Sequence, residues 1–375
     1  MKKIPIAIPP LGQEEAQAAY DTILSGWVTQ GPKVKEFEKN FADYVGSKYA
    51  VAVSSCTTAL HLALIVAGIK EGDEVICPSM SFIATANSIM YMNAVPVFAE
   101  VNEEYNLDIE DVESKITSKT RAVILVHQIG MPADIDSFKK LCNEKNLILI
   151  EDAACAIGSA YNHKKIGSHS DLVCFSFHPR KVITTGDGGM ISTSNKQYYD
   201  RLKLLRQHGM SVNDRLRHES EKVIFEEYSE VGFNYRMTDI QAAIGVLQLK
   251  KLNLIVSNRR EIAQTYNERL SIIENVRLPI EREGKFSNYQ SYSIFLKQDC
   301  KISRDELMQR LLDDGIASRR GIMNIHEEMA YSDMRKYYLP KSEELSDRSI
   351  LIPLFYPMDQ NMIEYVIDRL IRHLT

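Results

Sequence analysis

The sequence has few cysteines, no long hydrophobic run and no excess of positive charge. Its six cysteines are scattered over 375 residues, with no CxxC pair and no cysteine–histidine cluster. We therefore expect no structural zinc site and a reducing, cytoplasmic location. No stretch approaches the ~20 apolar residues of a membrane-spanning helix, and residues 1–10 lack the apolar core of a signal peptide. A net charge of −5 makes a broad nucleic-acid-binding surface unexpected.

Two common phosphate-binding signatures are also missing. The sequence contains no GxxxxGKS or GxxxxGKT motif, and no Rossmann glycine fingerprint follows its first predicted strand. The glycine-rich segment 186–189 is weak evidence for a phosphate site by itself. What the chain does have is an ordinary globular composition, 45% hydrophobic and 25% charged. Its length is sufficient for two domains.

Short apolar runs alternate with helical segments over the first half of the chain. The predicted strands are 49–53, 73–77, 96–101, 121–126, 147–150, 172–177 and 190–193, and the helices between them are 59–69, 82–93, 108–116 and 134–144. This α/β alternation predicts a mostly parallel sheet with helices on both faces. The carboxyl ends of parallel strands share one edge, where such sheets bind ligands.

The second half of the chain has a different pattern. We predict a long helix over 237–254 that continues, bent or broken, through residue 270. Residues 211–228 are polar and charged and predict a loop. Beyond residue 276 the pattern predicts a strand over 292–296 and helices over 303–314 and 362–374. We therefore expect an N-terminal arm and large α/β domain over residues 1–250 and a smaller α+β domain over residues 251–375.

Lys181 lies in the segment on which the functional interpretation depends. A predicted buried strand runs into a turn at Pro179, and Lys181 follows in a connector rich in threonine and glycine. Burying an ammonium group is costly unless it is paired or neutralised, and a lysine held in this way can act as an amine nucleophile. The chemistry that fits best is a Schiff base to pyridoxal phosphate. An exposed loop lysine is the alternative.

Other strand ends offer groups that pyridoxal phosphate needs. Residues 55–58 supply amides and hydroxyls for a phosphate at a helix start, or a plain helix cap. Asp152 is a carboxylate for the pyridine nitrogen, or a partner in a salt bridge to an arginine. Phe82 can stack on the ring, or belong to the core. Ser176, five residues before Lys181, can direct its hydroxyl to the phosphate.

Five segments together resemble one known family. They are SCTTALHLAL (55–64), PSMSFIATAN (78–87), EDAACAIG (151–158), FSFHPRKVITTGDGG (175–189) and GFNYRMTDIQAA (232–243). The chain resembles the DegT/DnrJ/EryC1/StrS family of sugar aminotransferases over nearly its whole length. The resemblance implies a fold-type I pyridoxal-phosphate-dependent transferase, with a large seven-stranded-type sheet and a smaller α+β domain.

The resemblance also implies roles for individual residues. Lys181 and Asp152 are the implied catalytic residues, Lys181 as the Schiff-base lysine that moves protons and Asp152 as the partner of the pyridine nitrogen. The other residues implied at the cofactor are Thr57, Thr58 and Ser176 at the phosphate, Phe82 on the ring, and Cys155. Asn234 is implied to reach the cofactor of a neighbouring subunit, which makes a homodimer with shared active sites the working unit.

A further set is implied on the substrate side. These residues are Thr29, His178, Arg319, Arg320 and His326, and a guanidinium fork suits a diphosphate. Two positions depart from the family pattern. Position 155 is Cys where the family usually has Gln or His, and Asp187 replaces the usual Glu. Lys181 itself stands where a dehydratase branch of the family has His, which favours the transaminases.

The activity implied by the resemblance is transfer of an amino group from L-glutamate to a nucleotide-linked keto sugar. The cofactor cycles between pyridoxal and pyridoxamine phosphate, and a 4-keto-6-deoxy hexose is favoured as the acceptor. The product enters amino-sugar or surface-polysaccharide biosynthesis. A sugar dehydratase of the same family and a non-catalytic cofactor- or sugar-binding regulator are the alternatives. The sequence does not select among GDP, UDP and dTDP, or between C3 and C4 amination.

Overall fold

The computed structural model describes residues 3–212, 223–334 and 337–375. Its helices are α1 (Gln13–Leu24), α2 (Pro32–Val45), α3 (Cys56–Val66), α4 (Ala84–Met90), α5 (Ile109–Ser114), α6 (Ile135–Lys145), α7 (Lys196–Leu205), α8 (Asp239–Leu270), α9 (Arg304–Asp313), α10 (Pro340–Arg348) and α11 (Gln360–Leu374). Residues 213–222 of the predicted loop lie outside the described residues. No helix in the described ranges has both the length and the apolar character needed to cross a bilayer.

The strands form three sheets. They are β1 (Tyr49–Val53), β2 (Glu74–Pro78), β3 (Val95–Ala99), β4 (Thr120–Val126), β5 (Ile148–Asp152), β6 (Ala160–Tyr161), β7 (Lys164–Lys165), β8 (Val173–Ser176), β9 (Gly189–Thr193), β10 (Val276–Arg277), β11 (Lys285–Phe286), β12 (Tyr292–Leu296), β13 (Arg319–Arg320) and β14 (Ser349–Ile352). The central sheet has the order β1-β9-β8-β5-β4-β2-β3, the second β10-β12-β14-β13, and the third β11-β6-β7.

The central sheet is mostly parallel, as the alternation predicts. Strands β8, β5, β4, β2 and β3 run parallel to one another, whereas β9 is antiparallel to both of its neighbours. Strand β9 reverses because only the loop 177–188, with no helix, connects it to β8, and a parallel return needs a crossover. The carboxyl ends of β1, β2, β5 and β8 therefore lie on one edge of the sheet.

Buried apolar clusters cover both faces of this sheet. On one face the aromatic rings of α2 pack against β8 and the residue after it, with Phe41 and Phe175 centroids 5.0 Å apart and Phe37 and Phe177 centroids 5.2 Å apart. On the other face lies α3, whose apolar side chains are buried almost all round. Burial on both faces explains why the strands are continuous apolar runs.

Helix α8 differs from the sequence prediction, because it is one uninterrupted helix of 32 residues. The predicted continuation through residue 270 is present, and the predicted break is not. Helix α8 contacts α1, α2 and α11. Asp239 at its start accepts from backbone amides of α2, and Arg269 near its end pairs with Glu364 of α11, so the packing partners change along the helix without a break in the backbone. It begins at a capping box between Thr238 and Gln241.

The C-terminal part of the chain has its own buried cluster. The four-stranded antiparallel sheet packs with α9, α11 and the last part of α8, and Ile4 of the N-terminal arm joins this cluster. Three backbone hydrogen bonds hold the arm: Ile4 donates to Gly315, Ala317 donates to Ile4, and Leu354 donates to Ile6. Helix α8 crosses residue 250 and so connects the two parts of the chain. We propose that the chain divides into domains at 1–250 and 251–375.

Candidate functional site

A closed loop presents Lys181 at the carboxyl edge of the central sheet. The loop 177–188 follows β8, and the amide of Phe177 donates to the carbonyl of Gly188 across its base at 2.9 Å. Val182 and Ile183 are 2% and 0% exposed and anchor the loop in the core. Because the residues directly after Lys181 are fixed in this way, its side chain has a defined direction.

The amine of Lys181 lies beside a thiol. Its Nζ donates to the Sγ of Cys155, 3.2 Å away, in the loop that follows β5. Burial disfavours the ammonium form, but the Cys155 sulfur, the Cys56 sulfur and the Asp152 carboxylate together outweigh that effect and raise the pKa of Lys181. In the free protein the side chain is therefore a cation.

Asp152 ends β5 and is only 5% exposed. Its Oδ1 accepts a hydrogen bond from the amide of Ala154 at 3.1 Å, and its Oδ2 accepts one from the hydroxyl of Thr85 at 3.0 Å. Burial nevertheless raises the pKa of Asp152. In the described part of the chain no basic side chain lies within 4.0 Å of this carboxylate, so the salt bridge to an arginine, left open by the sequence, is not formed there.

One cavity of about 350 Å³ joins these groups. Among its lining residues are Ser55, Cys56, Thr57, Phe82, Asp152, Cys155, Ser176, His178, Lys181 and Arg319. The structure thus brings together eight of the residues predicted from the sequence: Thr57, Phe82, Asp152, Cys155, Ser176, His178, Lys181 and Arg319. Burial and the charge of Arg180 lower the pKa of His178, so this imidazole is neutral at pH 7.

Helix α3 directs its N-terminus into the cavity. The hydroxyl of Ser55 caps it by accepting from the amide of Thr58 at 3.2 Å. The amides of Cys56 and Thr57 belong to the first turn, where no intrahelical acceptor exists. Free amides and the helix dipole favour an anion at this end.

Gly189, the last residue of the glycine-rich segment 186–189, has a packing role. A Cβ atom at this position would lie 2.4 Å from the carbonyl oxygen of Ser55. Gly189 pairs with Val53 in the central sheet, so β9 passes directly under the start of α3. The glycine therefore permits close packing beside the anion site. This packing role accounts for Gly189 without a phosphate-binding role.

Five predicted residues do not line the cavity in the single chain. Arg320 pairs with Glu328 at 3.4 Å. The ring of His326 lies 2.5 Å from the Ser79 hydroxyl and 3.2 Å from the Glu343 carboxylate. The remaining three are Thr29, Thr58 and Asn234, which contact Asp239, Ser55 and Arg236 respectively. Their assigned roles stay predictions.

Phe82 has an intermediate position. It lines the cavity, yet its side chain is 65% exposed at the mouth. Stacking of this ring on a cofactor therefore also stays a prediction.

Sequence reasoning missed several groups of the site. Thr85 holds Asp152, and Gln128, Arg180 and Gln290 line the cavity. Arg180 could have been noticed as a second cation next to Lys181. Gln290 comes from the C-terminal part of the chain, and no local pattern connects it to the sheet edge.

The residues present fit pyridoxal phosphate. The Lys181 amine can hold the aldehyde, and the buried carboxylate of Asp152, which has no basic partner within 4.0 Å in the described ranges, suits a protonated pyridine nitrogen. The α3 amides with the Ser176 hydroxyl suit the phosphate. The site can therefore hold this cofactor and perform chemistry on an amine-bearing carbon.

Comparisons with known proteins agree with this fit. The model of the DegT/DnrJ/EryC1/StrS aminotransferase family matches residues 9–371. The GDP-perosamine synthase of Escherichia coli O157:H7 is 36% identical over 98% of this chain and 98% of its own length. The aminotransferase TlmJ of Streptoalloteichus hindustanus is 32% identical, with a TM-score of 0.91 over 99% of this chain and 98% of that one.

A third relative bears on the cofactor. Spr1654 of Streptococcus pneumoniae, solved in its pyridoxamine phosphate form, is 26% identical, with a TM-score of 0.92 over 98% of each chain. The same protein is also known in a pyridoxal phosphate form. These likenesses confirm the predicted α/β transferase fold and the predicted cofactor.

Proposed function

This chain belongs to the DegT/DnrJ/EryC1/StrS aminotransferase family, and from that premise we propose that it transfers an amino group from L-glutamate to a nucleotide-linked keto sugar. It is an aminotransferase that uses pyridoxal phosphate. The observation that carries the proposal is the Lys181 amine in the cavity, close enough to the buried Asp152 for their charges to interact. The name of the E. coli relative, a GDP-perosamine synthase, supports a nucleotide-linked sugar as the acceptor. A 4-keto-6-deoxy hexose is the acceptor that we favour.

Different residues of the chain have different roles in the reaction. When bound, pyridoxal phosphate supplies an electron sink for the carbon that loses its proton. Lys181 Nζ takes the proton from the amine-bearing carbon of the donor and later returns one to the carbon that receives the amine. General acid–base transfer of this kind contributes about 10²–10⁴-fold. Asp152, fixed by Thr85 and Ala154, holds a proton on the pyridine nitrogen.

The remaining groups bind and orient. The α3 amides and the Ser176 hydroxyl hold the phosphate, which fixes one end of the cofactor relative to Lys181. Both substrates exchange a proton with the same lysine, so they use one cavity in turn. The donor must leave as 2-oxoglutarate before the sugar enters.

A homodimer and a cytoplasmic location complete the proposal. Phe82 is exposed at the cavity mouth, and Asn234 does not line the cavity of its own chain. Both observations support a second subunit that covers the mouth and shares the site. All six cysteines are free thiols, which supports a reducing compartment.

The test uses a panel of nucleotide-linked keto sugars. GDP-, UDP- and dTDP-linked 4-keto-6-deoxy hexoses are each incubated with the cofactor-loaded enzyme and L-glutamate, and the products are measured by mass spectrometry. We expect one amino sugar for each 2-oxoglutarate formed, and none with Lys181→Ala. A deoxy sugar formed without glutamate would instead indicate the dehydratase. Absence of amine transfer to every acceptor in the panel, with active cofactor present, would contradict the proposal.

A further inference from the structure

Two arginines in the cavity wall lack a carboxylate partner among the described residues. Arg180 belongs to the lysine loop, and Arg319 belongs to β13 in the second sheet. Within the described residues, neither guanidinium has a carboxylate oxygen within 4.0 Å, although most arginines near them in the chain do have one. Although Arg180 is exposed, partial desolvation and the charge of Arg319 lower its pKa. Two like charges held close together without a counter-ion form a site for an anion.

We propose that Arg180 is a specificity-determining residue that binds, together with Arg319, the diphosphate of the nucleotide-sugar acceptor. This inference rests on the proposed function and names the group by which that site selects its acceptor. A guanidinium fork donates two parallel hydrogen bonds to phosphate oxygens, and two forks together match the charge of a diphosphate.

The position of Arg180 favours the diphosphate over the donor's carboxylates. The reacting carbon of either substrate must come to the Lys181 amine, which lies inside the cavity against Cys155. Arg180 is exposed, so its charge lies towards the mouth. The donor's α-carboxylate is one bond from the reacting carbon, whereas the diphosphate of a 4-keto sugar is separated from it by the sugar ring. A cation pair towards the mouth suits the more distant group.

The geometry of β13 selects Arg319 over its neighbour. Successive side chains of a strand point to opposite faces. Arg319 pairs with Leu351, which also lines the cavity. Arg320 faces the other way, where it meets Glu328. Of the two adjacent arginines, Arg319 is therefore the one that lines the cavity of its own chain, and Arg180 supplies the second charge.

The backbone at residue 180 is fixed from both sides. Its amide donates to His178 Nδ1 at 3.3 Å, and its carbonyl accepts from the side-chain amide of Gln290 at 3.2 Å. Gln290 belongs to the C-terminal part of the chain, so this contact ties the lysine loop to the segment that precedes β12. Arg180 is thereby held in a fixed relation to the opposite wall, as a binding residue requires.

The test compares Arg180→Met and Arg319→Met with Arg372→Met, an exposed arginine of α11 that does not line the cavity. In the cofactor-loaded enzyme, kcat/KM is measured separately for L-glutamate and for the keto sugar. We expect Arg180→Met to lower the acceptor value about 10- to 100-fold, because a hydrogen bond to a charged group is lost. The glutamate value should change less than about 3-fold. Arg180→Lys should recover part of the loss, since it restores charge without the fork.

Binding gives a second readout that needs no turnover. Titration calorimetry of GDP, UDP and dTDP, each against its monophosphate, should show a preference for the diphosphate that Arg180→Met removes. If the wild-type enzyme transfers no amine, the proposed function fails, and these titrations still decide the inference. A loss confined to the glutamate half-reaction, an unchanged acceptor value, or wild-type protein that binds no diphosphate would overturn it. Retained cofactor absorbance and an unchanged Tm exclude misfolding.

Discussion

The amine of Lys181 donates a hydrogen bond to the sulfur of Cys155, 3.2 Å away. The two residues follow the neighbouring parallel strands β8 and β5, which bring their loops together at the sheet edge. Within the described residues, this thiol is the hydrogen-bond partner of the reactive nitrogen. It is a positioning residue whose effect should be visible in how readily that nitrogen gives up its proton.

Replacing this thiol should make the amine less basic. Cys155 is the strongest of the groups that raise the pKa of Lys181, and burial opposes them. In Cys155→Ala fewer groups oppose the effect of burial, so the pKa of Lys181 falls. The amine therefore reacts at lower pH. The measurement is the rate of Schiff-base formation with added pyridoxal phosphate as a function of pH. Cys300→Ala, outside the cavity, should leave the profile unchanged, and an unchanged profile in Cys155→Ala would contradict the assignment.

Replacing Asp152 should lower kcat more than replacing Thr85, whose hydroxyl fixes it. Asp152→Asn removes the negative charge at the pyridine nitrogen and should lower kcat by about 10²–10³-fold. Thr85→Val removes one hydrogen bond of about 1 kcal/mol, so the loss should be close to 5-fold. Thr85→Ser keeps the hydroxyl and should recover most of the activity. Equal losses in Thr85→Val and Thr85→Ser would show that the hydroxyl is not what holds the carboxylate.

The pH profile should move in a defined direction in Thr85→Val. Burial raises the pKa of Asp152, whereas the Thr85 hydroxyl lowers it, as do the charges of Lys181 and His127. Removing the hydroxyl therefore raises that pKa further, and the acidic limb of the kcat profile should shift to higher pH. A shift to lower pH, or none while kcat falls, would argue against Asp152 as the group that titrates there.

Breaking the buried pair of His127 and Glu151 should lower the free energy of unfolding substantially. Their Nε2 and Oε2 atoms are 2.8 Å apart and both side chains are fully buried. His127→Ala leaves an unpaired buried carboxylate and should cost about 3–5 kcal/mol of unfolding free energy, measured by urea denaturation. Lys196→Ala breaks an exposed pair with Asp200 and should change little.

The same pair predicts a pH dependence of stability. Burial raises the pKa of Glu151, but the hydrogen bond and charge of His127 more than offset this, so the pKa lies below its ordinary value of 4.5. The stabilisation is therefore present above that value and is lost as the pH falls through the lowered pKa. His127→Ala should flatten this acid limb of the stability curve.

Gly189→Ala should damage the cofactor site through packing. The added Cβ would meet the Ser55 carbonyl at 2.4 Å and push the start of α3 away from β9. We expect weaker pyridoxal phosphate binding and a loss of about 1–3 kcal/mol in unfolding free energy. Gly12→Ala is the control, because its Cβ would make an ordinary 3.7 Å contact. Unchanged cofactor affinity in Gly189→Ala would show that the helix start does not hold the phosphate.

The sequence predicted which residues meet at the sheet edge, but not which residues of the C-terminal part lie opposite them. Asp152 and Lys181 follow apolar runs, and the rule that parallel strands end on one edge was enough to place them together. The direction of Arg319 depends on how β13 pairs with β14, which lies about thirty residues further along the chain. No local pattern contains that pairing. The unbroken course of α8 was missed for a similar reason, since its partners change along its length.

The N-terminal arm has a practical consequence. Ile4 is bonded to residues on either side of Ile316, and Ile6 and Ala7 continue from it into the wall of the cavity. A fusion peptide or a proteolytic cut just ahead of α1 therefore alters the catalytic chamber itself. Purification tags belong at the opposite terminus, and loss of turnover after limited digestion should be traced first to these few residues.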